Sequence, residues 1–213
     1  METICGIDEA GKGPLLGPLV LCGVVIHPQD VQKLVDIGVK DSKFLTPKKR
    51  EELFPKIKTI IKDYMLTIVE PREIDKAVES ETLNLNWMEA IKSAIIVNYL
   101  KPDKAIIDCP STNIQAYTDY MKQFLKQDTE LQLEHKAERY PVVAAASILA
   151  KVTRDREIEK LKLKYGDFGS GYPSDKKAQD FLKANWKKYP ELFRQSWAPY
   201  KKVANQTKLG EFK

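Results

Sequence analysis

Short apolar runs bounded by turn residues alternate along the chain with longer stretches of helical periodicity, and this alternation restricts the fold to a sheet layered with helices. Five runs read as strands: Thr3 to Ile7, Leu19 to Ile26, Tyr64 to Val69, Ala105 to Ile107 and Glu130 to Leu133. Between the third and fourth, apolar residues recur at helical spacing through Leu83, Trp87, Ile91, Ala94 and Ile95, which predicts a helix over Ile74 to Leu100. Thr46 before Pro47 has the form of an N-cap with proline at the first helical position, opening a helix over Lys48 to Ile61. Beyond the last strand everything reads as helix. Three early strands, then helix and strand in alternation, then helices, place the chain in the α/β class, with a five-stranded mixed sheet and a helical C-terminal region. Its 213 residues supply one main domain. The reading is a domain over 1–200 and a polar, flexible tail over 201–213.

Composition excludes several classes. Hydrophobic residues are 43% and charged residues 31% of the chain, which suits a packed core under a charged surface rather than a disordered segment. The formal charge of +5 suits a polyanionic partner without demonstrating one. Cys5, Cys22 and Cys109 are isolated in apolar runs, so they read as buried thiols rather than a disulfide or zinc framework. No run approaches the ~18 apolar residues of a membrane span. The expectation is a soluble, cytoplasmic monomer with no membrane partner.

The first glycine-rich segment, Gly6-Ile7-Asp8-Glu9-Ala10-Gly11-Lys12-Gly13, imitates a phosphate-binding P-loop up to its last position. There Gly13 stands where Ser or Thr would hold magnesium. Adjacent carboxylates at Asp8 and Glu9 would also repel a phosphate unless a cation lay between them. The same objection, reversed, makes the acids candidate metal ligands at the end of a strand. Because strand neighbours point to opposite faces, both can meet one metal only if the strand ends or bends there. Asp108 closes the apolar run Ala105-Ile106-Ile107, a position where sites form in α/β sheets; the competing reading is a cap for the helix starting near Asn113. Glu138 lies between the last strand and the helix opening at Pro141.

Taken together, these segments resemble the type 2 ribonuclease H family, most closely the archaeal ribonucleases HII. The resembling residues are the first glycine-rich segment with Pro14, Gly17 and Pro18, then Lys40-Asp41-Ser42-Lys43 with Leu45-Thr46, then Asp108. Tyr140 to Lys151 with Arg154-Asp155, and Gly169-Ser170-Gly171-Tyr172-Pro173, complete the set in family order. The resemblance implies the ribonuclease H fold and a four-carboxylate site, which on matching positions is Asp8, Glu9, Asp108 and Glu138. It implies a Mg²⁺ or Mn²⁺ two-metal centre that cuts RNA/DNA hybrids and duplex DNA containing ribonucleotides, leaving 5′-phosphate and 3′-hydroxyl ends. It further implies that the backbone of the Gly11-Lys12-Gly13 turn reads the ribose 2′-hydroxyl and that Tyr172 packs at the ribonucleotide junction.

Two departures from the family pattern stand out. Lys12 replaces the usual arginine, which removes a guanidinium fork but leaves any backbone readout intact. Glu138 replaces the usual aspartate and lies one residue closer to Tyr140 than the pattern puts it; Asp128 is the fallback for the fourth acid. No His or Cys nucleophile is placed to compete, and His27 and His135 read as structural. Ser147, in a run of valine and alanine, reads as a small residue that lets a helix pack closely. Ser42 and Lys43 are candidate phosphate contacts, near Lys48, Lys49 and Arg50 at a helix N-terminus. In the tail, Gln206, Leu209 and Phe212 have the spacing of a motif that docks on replication sliding clamps, although the second aromatic of that motif is missing.

Overall fold

The computed structural model describes residues 2–210, with side chains through residue 206. Internal contacts divide the chain into two compact units: Met1–Ala10, Val20–Ile68 and Asn86–Thr153 make the first, and Gly11–Leu19, Val69–Leu85 and Arg154–Lys213 the second.

The first unit is built on β1 (Ile4–Ala10), β2 (Leu19–Ile26), β3 (Asp63–Val69), β4 (Lys104–Asp108) and β5 (Glu130–Glu134). These form a five-stranded sheet in the order β3-β2-β1-β4-β5. β1 runs antiparallel to β2 and parallel to β4, and β4 runs parallel to β5, so the sheet is mixed as expected. The first helices are α1 (Val31–Asp36) and α2 (Pro47–Ile60). Thr46 caps α2, its hydroxyl accepting from the Lys49 amide at 3.2 Å.

The helix predicted over 74–100 is two helices, α3 (Pro71–Val78) and α4 (Leu85–Leu100). The break lies in polar residues whose local bonding competes with a continuing helix: the Ser80 hydroxyl accepts from the amides of Thr82 and Leu83. Next come α5 (Ile114–Lys122), α6 (Pro141–Tyr165), α7 (Lys176–Asn185) and α8 (Ala198–Gly210). The segment expected as a tail from residue 201 instead continues α8, and Val203 and Ala204 pack against the core of the second unit. Among the described residues no helix is long and apolar enough to cross a membrane, and all three cysteines are buried free thiols.

Pleat alternation decides which helix each β1 side chain meets. Gly6 faces α6 at Val142 and Val143, whereas Gly23, beside Cys5, faces Ile96 of α4. Ala144, Ala145 and Ala146 are almost wholly buried, and these small side chains bring the α6 backbone onto the sheet. The second unit has its own apolar cluster, including Leu15, Leu16, Phe168, Leu182, Phe193 and Tyr200.

Candidate active site

Asp8 shares the face of β1 that meets α6. It is 5% exposed and accepts from the Glu9 amide at 2.7 Å and from the Ser147 hydroxyl. The Ser147 oxygen lies 2.8 Å from that of Ser42, so two buried hydroxyls brace the acid. Ser147 therefore does more than permit close packing, and Ser42 is buried behind it rather than presented to a phosphate. Arg50 is likewise buried, donating to the carbonyls of Ser42 and Leu45. Burial raises the Asp8 pKa to about 7, and the charges of Asp108 and Glu138 add to the rise.

Asp108 ends β4 and accepts from the Ala137 amide at 2.9 Å. It does not cap α5, which Asn113 caps with its own side chain. Burial and the Glu138 charge hold its pKa above the ordinary carboxylate value. Glu138 sits in the short turn Ala137–Arg139, reached after Lys136 takes a left-handed conformation (φ 59°) between β5 and α6. The Lys43 ammonium donates to its carboxylate at 2.7 Å. Burial pushes Glu138 up, but the bond from Lys43, a backbone hydrogen bond and the charges of Lys43 and Lys136 together outweigh it and leave the pKa below the ordinary value. The bond to Glu138 raises the Lys43 pKa. Lys43, expected as a phosphate contact, thus supplies positive charge to this cluster of acids.

Glu9 leaves β1 on the face opposite Asp8. β1 continues unbroken through Ala10, with Glu9 opposite Leu21, so its side chain takes the other face, toward Tyr117, whose pKa is raised by burial first and then by the charges of Glu89 and Glu9. Asp128 is out of place. β5 begins opposite Lys104, at the N-terminal end of β4, whereas Asp108 is at the C-terminal end. His27 and His135 share hydrogen bonds with the carbonyls of Glu2 and Cys109, in keeping with structural roles.

As a donor set for a hard divalent cation, Asp8, Asp108 and Glu138 are chemically suited. They offer carboxylate oxygens, and burial with mutual repulsion raises the pKa of the first two, so a cation would relieve poorly solvated negative charge. Among the described residues no three acidic, His or Cys side chains already stand at common coordination distance. Coordination by all three acids therefore requires their side chains to draw together, and Lys43, bonded to one oxygen of Glu138, leaves the other oxygen of that carboxylate for a cation.

The second unit holds the other predicted recognition residues. Gly11 has φ +93°, and a Cβ there would lie 2.1 Å from the Arg154 Nε, so both backbone conformation and space demand glycine. Tyr172 lies against Gly13, where an added Cβ would be 3.8 Å from its ring, and its own ring stands 5.7 Å from the Arg154 guanidinium carbon. Arg154 is 2% exposed and donates from Nε to the Pro18 carbonyl at 3.2 Å. Arg194, fully buried, donates from Nη1 to the Lys12 carbonyl and from Nη2 to that of Gly11, both at 2.6 Å. No periodicity or motif singles out Arg194.

The model of the family described as Ribonuclease HII matches residues 5–200. The chain belongs to the ribonuclease HII family. It is 44% identical to ribonuclease HII of Pyrococcus horikoshii, with 98% of each chain covered. The crystal structure of ribonuclease H2 from that organism superposes with a TM-score of 0.88 at 43% identity, covering 97% of this chain and 99% of the other. The ribonuclease HII in a PCNA complex from Archaeoglobus fulgidus gives a TM-score of 0.82 at 41% identity, covering 92% and 95%. Membership of the ribonuclease HII family makes the chain a nuclease of the hydrolase class with the ribonuclease H-like fold.

Proposed function

We propose that this protein is an endonuclease that hydrolyses the RNA strand of RNA/DNA hybrids and cuts duplex DNA at embedded ribonucleotides, through acids clustered at the C-terminal ends of β1 and β4. The observation that carries the reading is the cluster of buried Asp8 and Glu138 with half-buried Asp108, in a chain of the ribonuclease HII family. Asp8, Asp108 and Glu138 would hold Mg²⁺ or Mn²⁺. Such ions supply activation of water and stabilisation of the departing 3′-oxygen. Water adds across the P–O3′ bond, giving a 5′-phosphate and a 3′-hydroxyl.

The residues themselves orient and neutralise. Ser147 and the Glu9 amide hold the Asp8 carboxylate, and the Ala137 amide holds Asp108. Lys43, bonded to Glu138 with its side chain otherwise largely exposed, would offer positive charge to a substrate phosphate. Glu9, on the opposite face of the strand from Asp8, is the fourth acid of the proposed site, and Glu9→Gln should cost less activity than Asp8→Asn in the cleavage assay below. In the second unit, Tyr172 offers a ring to a sugar or base beside the Gly11–Gly13 turn.

The test is incubation with a DNA duplex carrying one ribonucleotide, with Mg²⁺, with Mn²⁺ and with chelator. Cleavage at the ribonucleotide in either metal and none in chelator is expected. Binding without cleavage in both metals would reduce the chain to a nucleic-acid-binding module and sink the proposal.

A sliding clamp is the proposed protein partner. Support comes from the spacing of Gln206, Leu209 and Phe212 and from the A. fulgidus relative in complex with PCNA. Gln206 is exposed in α8; the Leu209 side chain and Phe212 lie outside the described residues. Calorimetry with the cognate clamp should show micromolar binding by the full chain and none by a version ending at Asn205. Equal binding by the two refutes the assignment.

A further inference from the structure

Arg194 reaches a turn more than 180 positions earlier in the chain. Its planar fork meets two consecutive carbonyls, those of Gly11 and Lys12, and Nη2 and Nε also approach the Gly17 carbonyl at 3.1 and 3.3 Å. In a trans peptide the C=O of one residue and the N–H of the next point in opposite directions. Holding the Gly11 and Lys12 oxygens therefore turns the N–H groups of Lys12 and Gly13 away from the guanidinium, side by side. Two successive amides of this kind, beside a glycine at positive φ, form a concave donor pair for an oxygen acceptor. Gly13, which carries the second donor, is exposed, and the Tyr172 ring lies against it.

We infer that Arg194 is a positioning residue for substrate discrimination, fixing the Lys12 and Gly13 amides as the donor pair that receives the ribose 2′-hydroxyl. The inference rests on the ribonuclease reading above and adds the group that preorganises its recognition turn. A guanidinium spans two carbonyls at once, whereas an ammonium is a point donor on a flexible stem, so lysine at 194 cannot hold both. The same geometry accounts for Lys12 in place of arginine, since the donors belong to the main chain whatever side chain position 12 carries.

The experiment compares binding of two duplexes, one carrying a single ribonucleotide and one all DNA, by fluorescence anisotropy in chelator so that no cleavage occurs. The wild-type protein should prefer the ribonucleotide by about three- to tenfold, the worth of a hydrogen bond or two. Arg194→Lys should bring that ratio close to one while changing all-DNA affinity far less. Gly13→Pro deletes one of the two donors without touching the buried guanidinium, and it should lower the same ratio should Arg194→Lys not fold. A residue that merely held the fold together would weaken both duplexes alike, so an equal loss on both, or an unchanged ratio in either folded variant, overturns the inference. A wild-type protein that neither prefers nor cleaves the ribonucleotide duplex fails the ribonuclease reading instead, which keeps the two failures distinct.

Discussion

Asp8→Asn should lose cleavage by roughly 10³-fold or more and yet give a more heat-stable protein at pH 8 in chelator. The loss follows from removing the charge of a carboxylate that would hold the metal. The gain follows from its burial. In the folded chain Asp8 has a pKa of about 7 against an ordinary 3.8, so between those values the native state binds the proton that the unfolded state has released. Stability is lost as pH rises through that window, and above it the fold carries a buried charge. The amide avoids this cost. Its oxygen can still accept from the Glu9 amide, and its nitrogen can donate to Ser147, whose hydroxyl can turn toward Ser42.

Even heavily discounted for coupling among the acids, the gain should reach about 1 kcal/mol, or about 2–4 °C in Tm for a chain of this size. It should shrink toward pH 4, where the wild-type acid is also neutral. Mn²⁺ should reverse the order, because only the wild-type site gains stability from binding it. Differential scanning fluorimetry across pH, with and without Mn²⁺, checks both signs. A variant less stable than wild type at pH 8 in chelator would refute the account of Asp8.

Gly6→Ala should be the most damaging single-methyl change in the first unit, costing about 3–5 kcal/mol. A Cβ at Gly6 would stand 2.4 Å from the Val142 carbonyl carbon and 2.5 Å from the Val143 nitrogen. These are backbone atoms, which no rotamer change can withdraw, so α6 would have to move off the sheet. Ser147 rides on α6 and braces Asp8, so activity per folded molecule should fall as well. Thermal denaturation is the direct test, with a fall in Tm of about 10 °C expected; a change within about 2 °C would show that the helix does not press on the strand as described.

The sheet was legible because its strands carry the pattern that buried strands require. All five observed strands fall where short apolar runs lie between turn residues, and Thr46-Pro47 marks the start of α2 in both sequence and structure. The break between α3 and α4 was not legible from the spacing of Leu83, Trp87 and Ile91, because the Ser80 side chain bonds that end the helix are local and leave apolar spacing unchanged. α8 was missed for a different reason: its polar composition hides the few residues, such as Tyr200 and Val203, that a core can use.

At the candidate site, sequence by itself determined that Asp108 closes a strand and where glycine is demanded, since strand ends and turns are written in residues a few positions apart, whereas β1 runs on past Asp8 and Glu9 to Ala10. Tertiary structure alone decided which acids meet. It separated Glu9 from Asp8 by the pleat of an unbroken strand, joined Glu138 to Lys43 across 95 positions, and turned Ser42 inward to Ser147. It also brought Arg194 to the carbonyls of Gly11 and Lys12. The physical reason is that a hydrogen bond or ion pair between distant segments depends on the direction in which each side chain leaves its element and on what is packed behind it. Neither is encoded in local spacing, which carries only the period of the element itself.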